Sequence, residues 1–238
     1  ALVTFMLANN ETGVITDVAK FAAEASRYEI PSHSDAVAAF GYLPIDFAEL
    51  GLSTLAVSAH KVGGPVGVGA LLVSRSTKIT SLIQGGGQER GIRSGTLNAA
   101  GAKAFAFAAE TALRNMNQHN QYTRKLIEQI KDGVLANVPG ARFSRGDKDG
   151  LAHNAHFTFE GAKSDSLLFL LDQAGIAASA GSACQAGVAR PSHVLLAMGR
   201  SEAEANGTLR FTVGTATTQA DVDRLLEILP ELVVTARA

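Results

Sequence analysis

Short apolar segments alternate with helix-like segments along the first half of this chain of 238 residues, and this alternation restricts its possible folds most strongly. Brief apolar runs bounded by polar or glycine-rich residues are typical of buried strands. We predict strands over residues 1–8, 55–58 and 68–74, a helix over 16–29 capped by Thr16, and one or two long helices over 98–138. The polar residues 32–35, which follow the first helix-like segment, are also predicted to form a short strand. Such alternation favours an α/β fold with a mostly parallel sheet covered by helices.

The composition changes at residues 139–150, where glycine, arginine, aspartate and lysine follow the alanine-rich helical segment. We therefore predict a large domain over residues 1–140 and a small domain over residues 141–238. The small domain is expected to be a compact α+β unit. Its predicted strands are 156–159, 176–179 and 209–213, and its predicted helices are 164–174, 192–198 and 219–233.

Composition argues against several classes of function. A formal net charge of -1 is not that of a nucleic-acid-binding surface, which carries a basic excess. No uncharged apolar run reaches the length of about 18 residues that a membrane span requires. The single cysteine excludes an internal disulfide and a metal site built from several cysteines. It suits a reducing compartment, so we predict a cytoplasmic protein without a metal ion.

Segment 56–69, Ala-Val-Ser-Ala-His-Lys-Val-Gly-Gly-Pro-Val-Gly-Val-Gly, is the most informative local feature. Lys61 follows a predicted strand and a histidine, and the glycines after it let the backbone approach a bound group closely. A partly desolvated lysine amine can react with the aldehyde of a cofactor. A surface lysine in a glycine-rich turn is the alternative, and this segment alone favours neither.

Asp35 ends the strand that precedes the one leading to Lys61. A carboxylate there can keep the nitrogen of a pyridine ring protonated, although an aspartate that starts a turn is the commoner case. Ligands of an open α/β sheet bind at the carboxyl ends of its strands, so Asp35 and Lys61 are expected to face one crevice. The only cysteine, Cys184, lies among serine, alanine and glycine. These neighbours indicate an accessible thiol, whereas a buried structural cysteine is the alternative.

Four segments together resemble the cysteine desulfurases, the NifS- and IscS-like branch of the fold-type I, class V pyridoxal phosphate enzymes. They are Leu-Ala-Asn-Asn-Glu-Thr-Gly at 7–13, Ser-Ala-His-Lys-Val-Gly-Gly-Pro-Val-Gly-Val-Gly-Ala-Leu at 58–71, Gly-Gly-Gly-Gln-Glu-Arg-Gly-Ile-Arg-Ser-Gly-Thr at 85–96 and Ser-Ala-Gly-Ser-Ala-Cys at 179–184. The resemblance implies a homodimeric enzyme that converts L-cysteine to L-alanine. It also implies sulfur delivery to acceptor proteins such as an iron–sulfur cluster scaffold.

The same resemblance implies which residues bind pyridoxal 5'-phosphate. Lys61 would hold the cofactor covalently and move the Cα proton of the substrate, while Asp35 would bind the ring nitrogen. Ser58 and His60 would bind the phosphate. Thr96, at a predicted helix start, would reach the phosphate held by the other subunit.

Three further residues would act on the substrate by resemblance. Cys184 would remove the sulfur as a persulfide, and Arg210 would bind the α-carboxylate. Asn10 would contact both the substrate carboxylate and the cofactor ring, whereas an Asx-turn role fits Asn9 better. The pattern departs from the family at Ala38, where relatives have a glutamine that bonds the ring hydroxyl.

The resemblance also predicts that the family's N-terminal region is missing before Ala1, with part of the cofactor pocket. Two alternatives therefore stay open. The chain could be a non-catalytic fragment or subunit that keeps a dimer or partner surface. It could also be a related enzyme for selenocysteine or for an aminotransferase substrate, although Cys184 argues against an aminotransferase.

Overall fold

A computed structural model describes residues 1–181 and 191–238 of the chain. The chain divides into two compact units. Unit 1 consists of Ala1–Leu7 and Thr16–Met116, and unit 2 consists of Ala8–Ile15 and Asn117–Ala238. The division lies inside a long helix and not at residues 139–150, so the units differ in extent from the predicted domains.

Unit 1 is built on a four-stranded sheet. Its strands are β1 (Val3–Met6), β2 (Ser32–Asp35), β3 (Thr54–Ser58) and β4 (Gly69–Val73). They lie in the order β1-β2-β3-β4, and β1, β2 and β3 are parallel while β4 runs antiparallel to β3. The predicted α/β fold with a mostly parallel sheet is therefore confirmed.

Helix α1 (Val18–Arg27) connects β1 to β2 and buries Val18, Ala22 and Ala25. Its N-cap is Asp17, whose carboxylate accepts a hydrogen bond from the Lys20 amide at 3.2 Å. The prediction that Thr16 caps this helix is wrong. Both residues are good N-caps, and here the Thr16 amide instead donates to the Leu7 carbonyl at 2.9 Å.

A single helix, α2 (Ala99–Asn137), occupies the predicted helical region. Its first half belongs to unit 1, where a Cβ added to Gly41 would lie 3.2 Å from the Ala112 side chain. Its second half buries an apolar face in unit 2, which explains why the division falls within the helix. The buried residues of that face are Leu126, Ile127, Ile130 and Val134.

Unit 2 contains an antiparallel three-stranded sheet covered by helices, as expected of an α+β unit. Its strands, in the order β5-β6-β7, are β5 (Ala141–Phe143), β6 (Asn154–Phe159) and β7 (Thr208–Thr212). Its further helices are α3 (Ser164–Gln173), α4 (His193–Ala197), α5 (Glu202–Asn206) and α6 (Gln219–Arg237). Strand β5 was not predicted, because its three residues are too few to show a periodic pattern, and helix α5 was not predicted either.

The predicted strand over residues 176–179 is not formed. Within the part of the chain that the structure describes, only Ser179 of this segment pairs, in an isolated antiparallel bridge with Arg210 of β7. Two backbone hydrogen bonds make this bridge, at 3.1 and 2.7 Å. Gly175, directly before this segment, has a φ of 77°, so the chain turns immediately before residue 176.

Aromatic and aliphatic side chains fill the core of unit 2. Phe157 and Phe159 of β6 are both fully buried, and Phe157 also contacts the ring of Phe211 at a centroid distance of 6.2 Å.

None of the helices in the two described ranges is long and apolar enough to cross a membrane.

We expect Phe157→Ala to lower the free energy of unfolding by about 3–5 kcal/mol, because it removes a fully buried ring and leaves a cavity. Phe169→Ala is the matched control, since Phe169 on α3 is 62% exposed. That change should cost no more than about 0.5 kcal/mol. Urea titration followed by circular dichroism measures both values, and equal losses would contradict the described core.

Candidate cofactor and substrate site

Lys61 lies on a short 3₁₀ turn, Ala59–Val62, that begins where β3 ends at Ser58. The side chains of His60 and Lys61 are exposed. The Ser58 hydroxyl and the Nδ1 atom of His60 are hydrogen-bonded at 2.7 Å. The hydroxyl and the imidazole therefore form one polar pair next to an accessible amine.

Two glycines shape the end of this turn. Gly63 adopts a left-handed conformation, with φ 82°, that favours glycine. A Cβ at Gly64 would lie 3.0 Å from the Ala59 carbonyl oxygen and 2.9 Å from the Ala59 side chain. The chain then re-enters the sheet as β4, whose Gly69 pairs with Ser58. The Lys61 segment is thus held at both ends by the sheet.

Asp35 ends β2 at the same edge of the sheet. In the parallel pairing Asp35 is opposite Ala56, so Ser58 lies two residues further toward the carboxyl edge. From strand rise and spacing, the Cα atoms of Asp35 and Ser58 are roughly 8 Å apart. One carboxylate oxygen, Oδ1, accepts the Val37 amide at 2.8 Å. Asp35 therefore starts a turn, which is the commoner role of an aspartate at such a position. Ala38 lies half-buried in that turn.

The glycine-rich segment 85–96 is closed by its own hydrogen bonds. The Ser94 hydroxyl donates to the Gly86 carbonyl at 2.7 Å, and the Gly95 amide donates to the Gln88 side chain at 3.1 Å. Thr96 is exposed in the residues before α2. The helix begins later than Thr96, because the Asn98 side chain accepts from the Gly101 amide at 2.9 Å in the manner of an N-cap.

Asn10 lies in unit 2, in the turn that follows β1. The neighbouring Asn9 forms an Asx turn, in which its Oδ1 accepts the amides of Glu11 and Thr12 at 3.0 and 2.9 Å. The Asx-turn role thus belongs to Asn9, as its position indicated. The backbone carbonyl of Asn10 accepts a hydrogen bond from Nη1 of Arg210 at 2.6 Å.

Arg210 is half-buried on β7, directly opposite the buried His156 of β6. Nδ1 of His156 is hydrogen-bonded to the Ser144 hydroxyl at 2.7 Å. Burial, and secondarily the charge of Arg210, lowers the pKa of His156 to about 4. The imidazole is therefore neutral near pH 7. The sequence did not single out His156 as a functional residue, because it lies among apolar residues in a predicted strand.

Glu11 is a second residue that the sequence did not single out. Its side chain is fully buried, and Oε2 accepts the Ser192 hydroxyl at 2.5 Å. Acidic residues in turns are normally exposed, so composition gives no signal for this burial. Its position beside Asn10 in the segment 7–13 was the only available hint.

The structure therefore distributes the predicted site residues over the two units. Unit 1 contains Asp35, Ser58, His60, Lys61 and Thr96, and unit 2 contains Asn10 and Arg210. The hydrogen bonds described above join Ser58 to His60 and Asn10 to Arg210. Cys184 lies outside the described residues. Within residues 1–181 and 191–238 there is no group of three or more metal-ligating side chains.

We expect the folded protein to lose stability as the pH falls from about 6.5 to about 4. The unfolded chain binds a proton at the ordinary His pKa of 6.5, whereas folded His156 resists protonation down to about 4. The contribution is complete above about pH 6.5, and its full loss amounts to about 3 kcal/mol. The measurement is urea unfolding of the wild type and of His156→Gln across this range. The variant should lack this component, while the exposed control His193→Gln should keep it; identical curves for wild type and His156→Gln would refute the assignment.

The chain is similar to known proteins of one family over most of its length. The family described as aminotransferase class-V matches residues 1–225. The IscS-like cysteine desulfurase of Mycobacterium tuberculosis is 48% identical over 238 residues, which is 100% of this chain and 61% of that protein. Cysteine desulfurase NifS of Azotobacter vinelandii is 41% identical over 238 residues, which is 100% of this chain and 59% of that protein.

The solved structure of a NifS-like protein from Rickettsia africae is similar with a TM-score of 0.88 and 32% identity. That similarity covers 97% of this chain and 61% of the solved chain. The chain thus spans 59–61% of the length of these relatives. Because the family match extends over nearly the whole chain and includes all four motifs, the chain belongs to the class-V aminotransferase family.

Proposed function

We propose that this chain supplies the cofactor lysine and the catalytic cysteine of a pyridoxal-phosphate-dependent cysteine desulfurase. The main support is the position of Lys61 at the carboxyl edge of the unit 1 sheet. There Lys61 lies between the Ser58–His60 pair and a pair of glycines. Relatives named cysteine desulfurase, at 41–48% identity, support the same reaction.

The side chains at this edge fit pyridoxal 5'-phosphate by their chemistry. The exposed amine of Lys61 suits the aldehyde, and the Asp35 carboxylate suits a protonated ring nitrogen. In the part of the chain that the structure describes, only Oδ1 of Asp35 is hydrogen-bonded, which leaves Oδ2 to bind the ring nitrogen. The Ser58 hydroxyl and the His60 imidazole suit phosphate oxygens. When bound, pyridoxal phosphate supplies an electron sink for the bonds that break at the substrate.

In unit 2, Arg210 and Asn10 are proposed to bind the α-carboxylate of L-cysteine. A guanidinium group binds a carboxylate through two parallel hydrogen bonds. The Nη1 contact with the Asn10 carbonyl, at 2.6 Å, orients the guanidinium next to the residue that would share the substrate.

Cys184 and Lys61 would then divide the reaction between them. Lys61 takes the Cα proton of L-cysteine, and the Cys184 thiolate attacks the substrate sulfur. A sulfur–sulfur bond forms while the carbon–sulfur bond breaks, and its electron pair stays with the carbon fragment. The carbon is thus reduced and the sulfur oxidised, so no external oxidant is required. Protonation of Cβ, together with return of a proton from Lys61 to Cα, gives L-alanine and leaves a persulfide on Cys184.

The proposal extends to partners and location. Thr96 would complete the phosphate site of a second subunit, which requires a homodimer. The persulfide sulfur would pass to an acceptor protein such as an iron–sulfur cluster scaffold, and a thiol that must stay reduced suits the cytoplasm. A non-catalytic role, or a preference for selenocysteine, is an outcome that the following experiments can reveal.

We expect Lys61→Ala to abolish retention of pyridoxal phosphate, because the covalent attachment is lost. The complete protein as its gene encodes it is incubated with the cofactor, desalted and tested for visible absorption. Lys20→Ala is the control, since Lys20 is an exposed lysine on α1. It should retain the absorption band of the wild type. Equal retention by Lys61→Ala and the wild type would exclude Lys61 as the attachment site.

We expect Cys184→Ala to lose sulfur transfer almost completely while keeping the absorption band of the bound cofactor. The thiol acts on the substrate sulfur and does not hold the ring. L-Alanine release and persulfide mass are measured with L-cysteine and, in parallel, with L-selenocysteine. If the variant releases alanine from L-cysteine at the wild-type rate, Cys184 is not the sulfur acceptor, whereas a wild type that prefers selenocysteine would be a selenocysteine lyase.

A further inference from the structure

The unit 2 sheet has one apolar face and one polar face, because side chains alternate between the two faces along each strand. The residues of β6 and β7 on the apolar face belong to the core of unit 2, and they are Ala155, Phe157, Phe159, Leu209 and Phe211. On the opposite face these two strands carry only polar residues, which are Asn154, His156, Thr158, Thr208, Arg210 and Thr212. Arg210 therefore belongs to the polar face and not to the apolar core.

His156 is the cross-strand neighbour of Arg210 on that face. The two residues are directly opposite each other in the antiparallel pairing of β6 and β7. The Cβ atoms of such a pair lie about 4.5–5.5 Å apart. Besides burial, the charge of Arg210 lowers the pKa of His156, so the guanidinium is close enough to act on the ring. The fully buried imidazole thus borders the half-buried Arg210 side chain from the central strand of the sheet.

Both side chains of this pair are held by hydrogen bonds within unit 2. Nδ1 of His156 is bonded to the Ser144 hydroxyl at 2.7 Å, which restricts the rotation of the ring. Nη1 of Arg210 donates to the Asn10 carbonyl at 2.6 Å. The backbone of Arg210 is held on both sides, by β6 and by the bridge to Ser179. The freedom that Arg210 retains is rotation of its long side chain, and the imidazole limits that rotation on one side.

Packing alone does not account for a histidine at this position. Nε2 of His156 is buried and has no hydrogen-bond partner among the described residues. A buried polar atom without a partner is unfavourable, whereas a phenyl ring such as that of Phe157 fills a similar volume without this cost. Local features that lower stability in this way are concentrated at functional sites.

We propose that His156 is a positioning residue for binding the α-carboxylate of the substrate, an inference that rests on the proposed function. The neutral ring, held by Ser144, keeps the guanidinium of Arg210 in one orientation. A guanidinium binds a carboxylate through two parallel hydrogen bonds only when its plane is correctly oriented. An Arg210 side chain that is already oriented loses less conformational entropy on binding, so L-cysteine is bound more tightly.

The test compares His156→Ala, His156→Gln, Ser144→Ala and Arg210→Ala with the wild type, each as the complete cofactor-loaded protein. Steady-state kinetics gives kcat and KM for L-cysteine and for L-cysteine methyl ester, which lacks the carboxylate charge. Binding of L-alanine is measured separately from the rise that it causes in the unfolding temperature, which requires no turnover.

His156→Ala should raise both the KM for L-cysteine and the dissociation constant of L-alanine about tenfold, while kcat changes less than about twofold. The KM for the methyl ester should not change, because the ester has no carboxylate for Arg210 to bind. Ser144→Ala should show a smaller rise in the KM for L-cysteine. His156→Gln should recover most of the affinity, since its neutral amide can also bond to the Ser144 hydroxyl.

Phe159→Leu is the matched control for a general loss of stability. Phe159 is buried on the apolar face of the same strand. The control should lower the unfolding temperature of the ligand-free protein, as His156→Ala does, but leave the KM for L-cysteine unchanged. The double variant His156→Ala/Arg210→Ala should have the same KM as Arg210→Ala, because His156 acts through Arg210.

The outcomes separate the two proposals. A wild type that forms neither L-alanine nor a persulfide from L-cysteine overturns the proposed function, and this inference with it. An active wild type whose KM rises in Arg210→Ala but not in His156→Ala or Ser144→Ala overturns only the role of His156. Equal rises for L-cysteine and its methyl ester, or a rise in Phe159→Leu, would also overturn that role, since the effect would then be general. If His156→Ala does not fold, Ser144→Ala with and without Arg210→Ala makes the same comparison, and an unchanged KM in Ser144→Ala rejects the role.

Discussion

Parallel pairing of β2 with β3 is the constraint on which the candidate cofactor site depends. Both strands run in one direction, so Asp35 and Ser58 meet at the same edge of the sheet. If β3 were antiparallel to β2, the carboxyl end of β3 would lie at the opposite edge of the sheet. That edge is about 13 Å, the length of β3, from the edge at which Asp35 lies, since a strand rises about 3.3 Å per residue. The antiparallel return of β4 then holds the Lys61 segment at that edge from its other side. The Lys61 amine is thereby placed at the edge of a hydrogen-bonded sheet, although the Lys61 side chain itself is exposed.

Residues that are close together in the sequence can belong to different units, as the turn over residues 9–13 shows. It follows β1 directly, yet it belongs to unit 2, because unit 2 supplies its hydrogen bonds. Its carbonyls at Asn10, Glu11 and Gly13 accept from Arg210, Asn154 and the Leu151 amide. A turn fixed at three points loses little further freedom on binding a substrate.

Local patterns in the sequence were sufficient where one segment determines its own structure. Apolar patterning predicted one or two helices over residues 98–138, where the structure has the single helix α2, and side-chain chemistry predicted the Asx turn at Asn9. The strand that ends at Asp35 was predicted from its place after the first helix-like segment. The failures concern competition between segments. Residues 176–179 carry a strand-like pattern, but only Ser179 finds a pairing partner on β7. Burial of Glu11 depends on Ser192, which is 181 residues away, so no local pattern could reveal it.

The pair of His156 and Arg210 illustrates why such distant contacts matter for the chemistry. They face one another across β6 and β7, and the low pKa of His156 keeps its imidazole neutral at physiological pH. A second cation beside the guanidinium would repel it and would cost desolvation free energy in this buried position. A neutral imidazole therefore adds no positive charge to that of Arg210 across this strand pair. A single carboxylate matches the charge of one guanidinium, which is what the α-carboxylate binding proposed above for Arg210 would require.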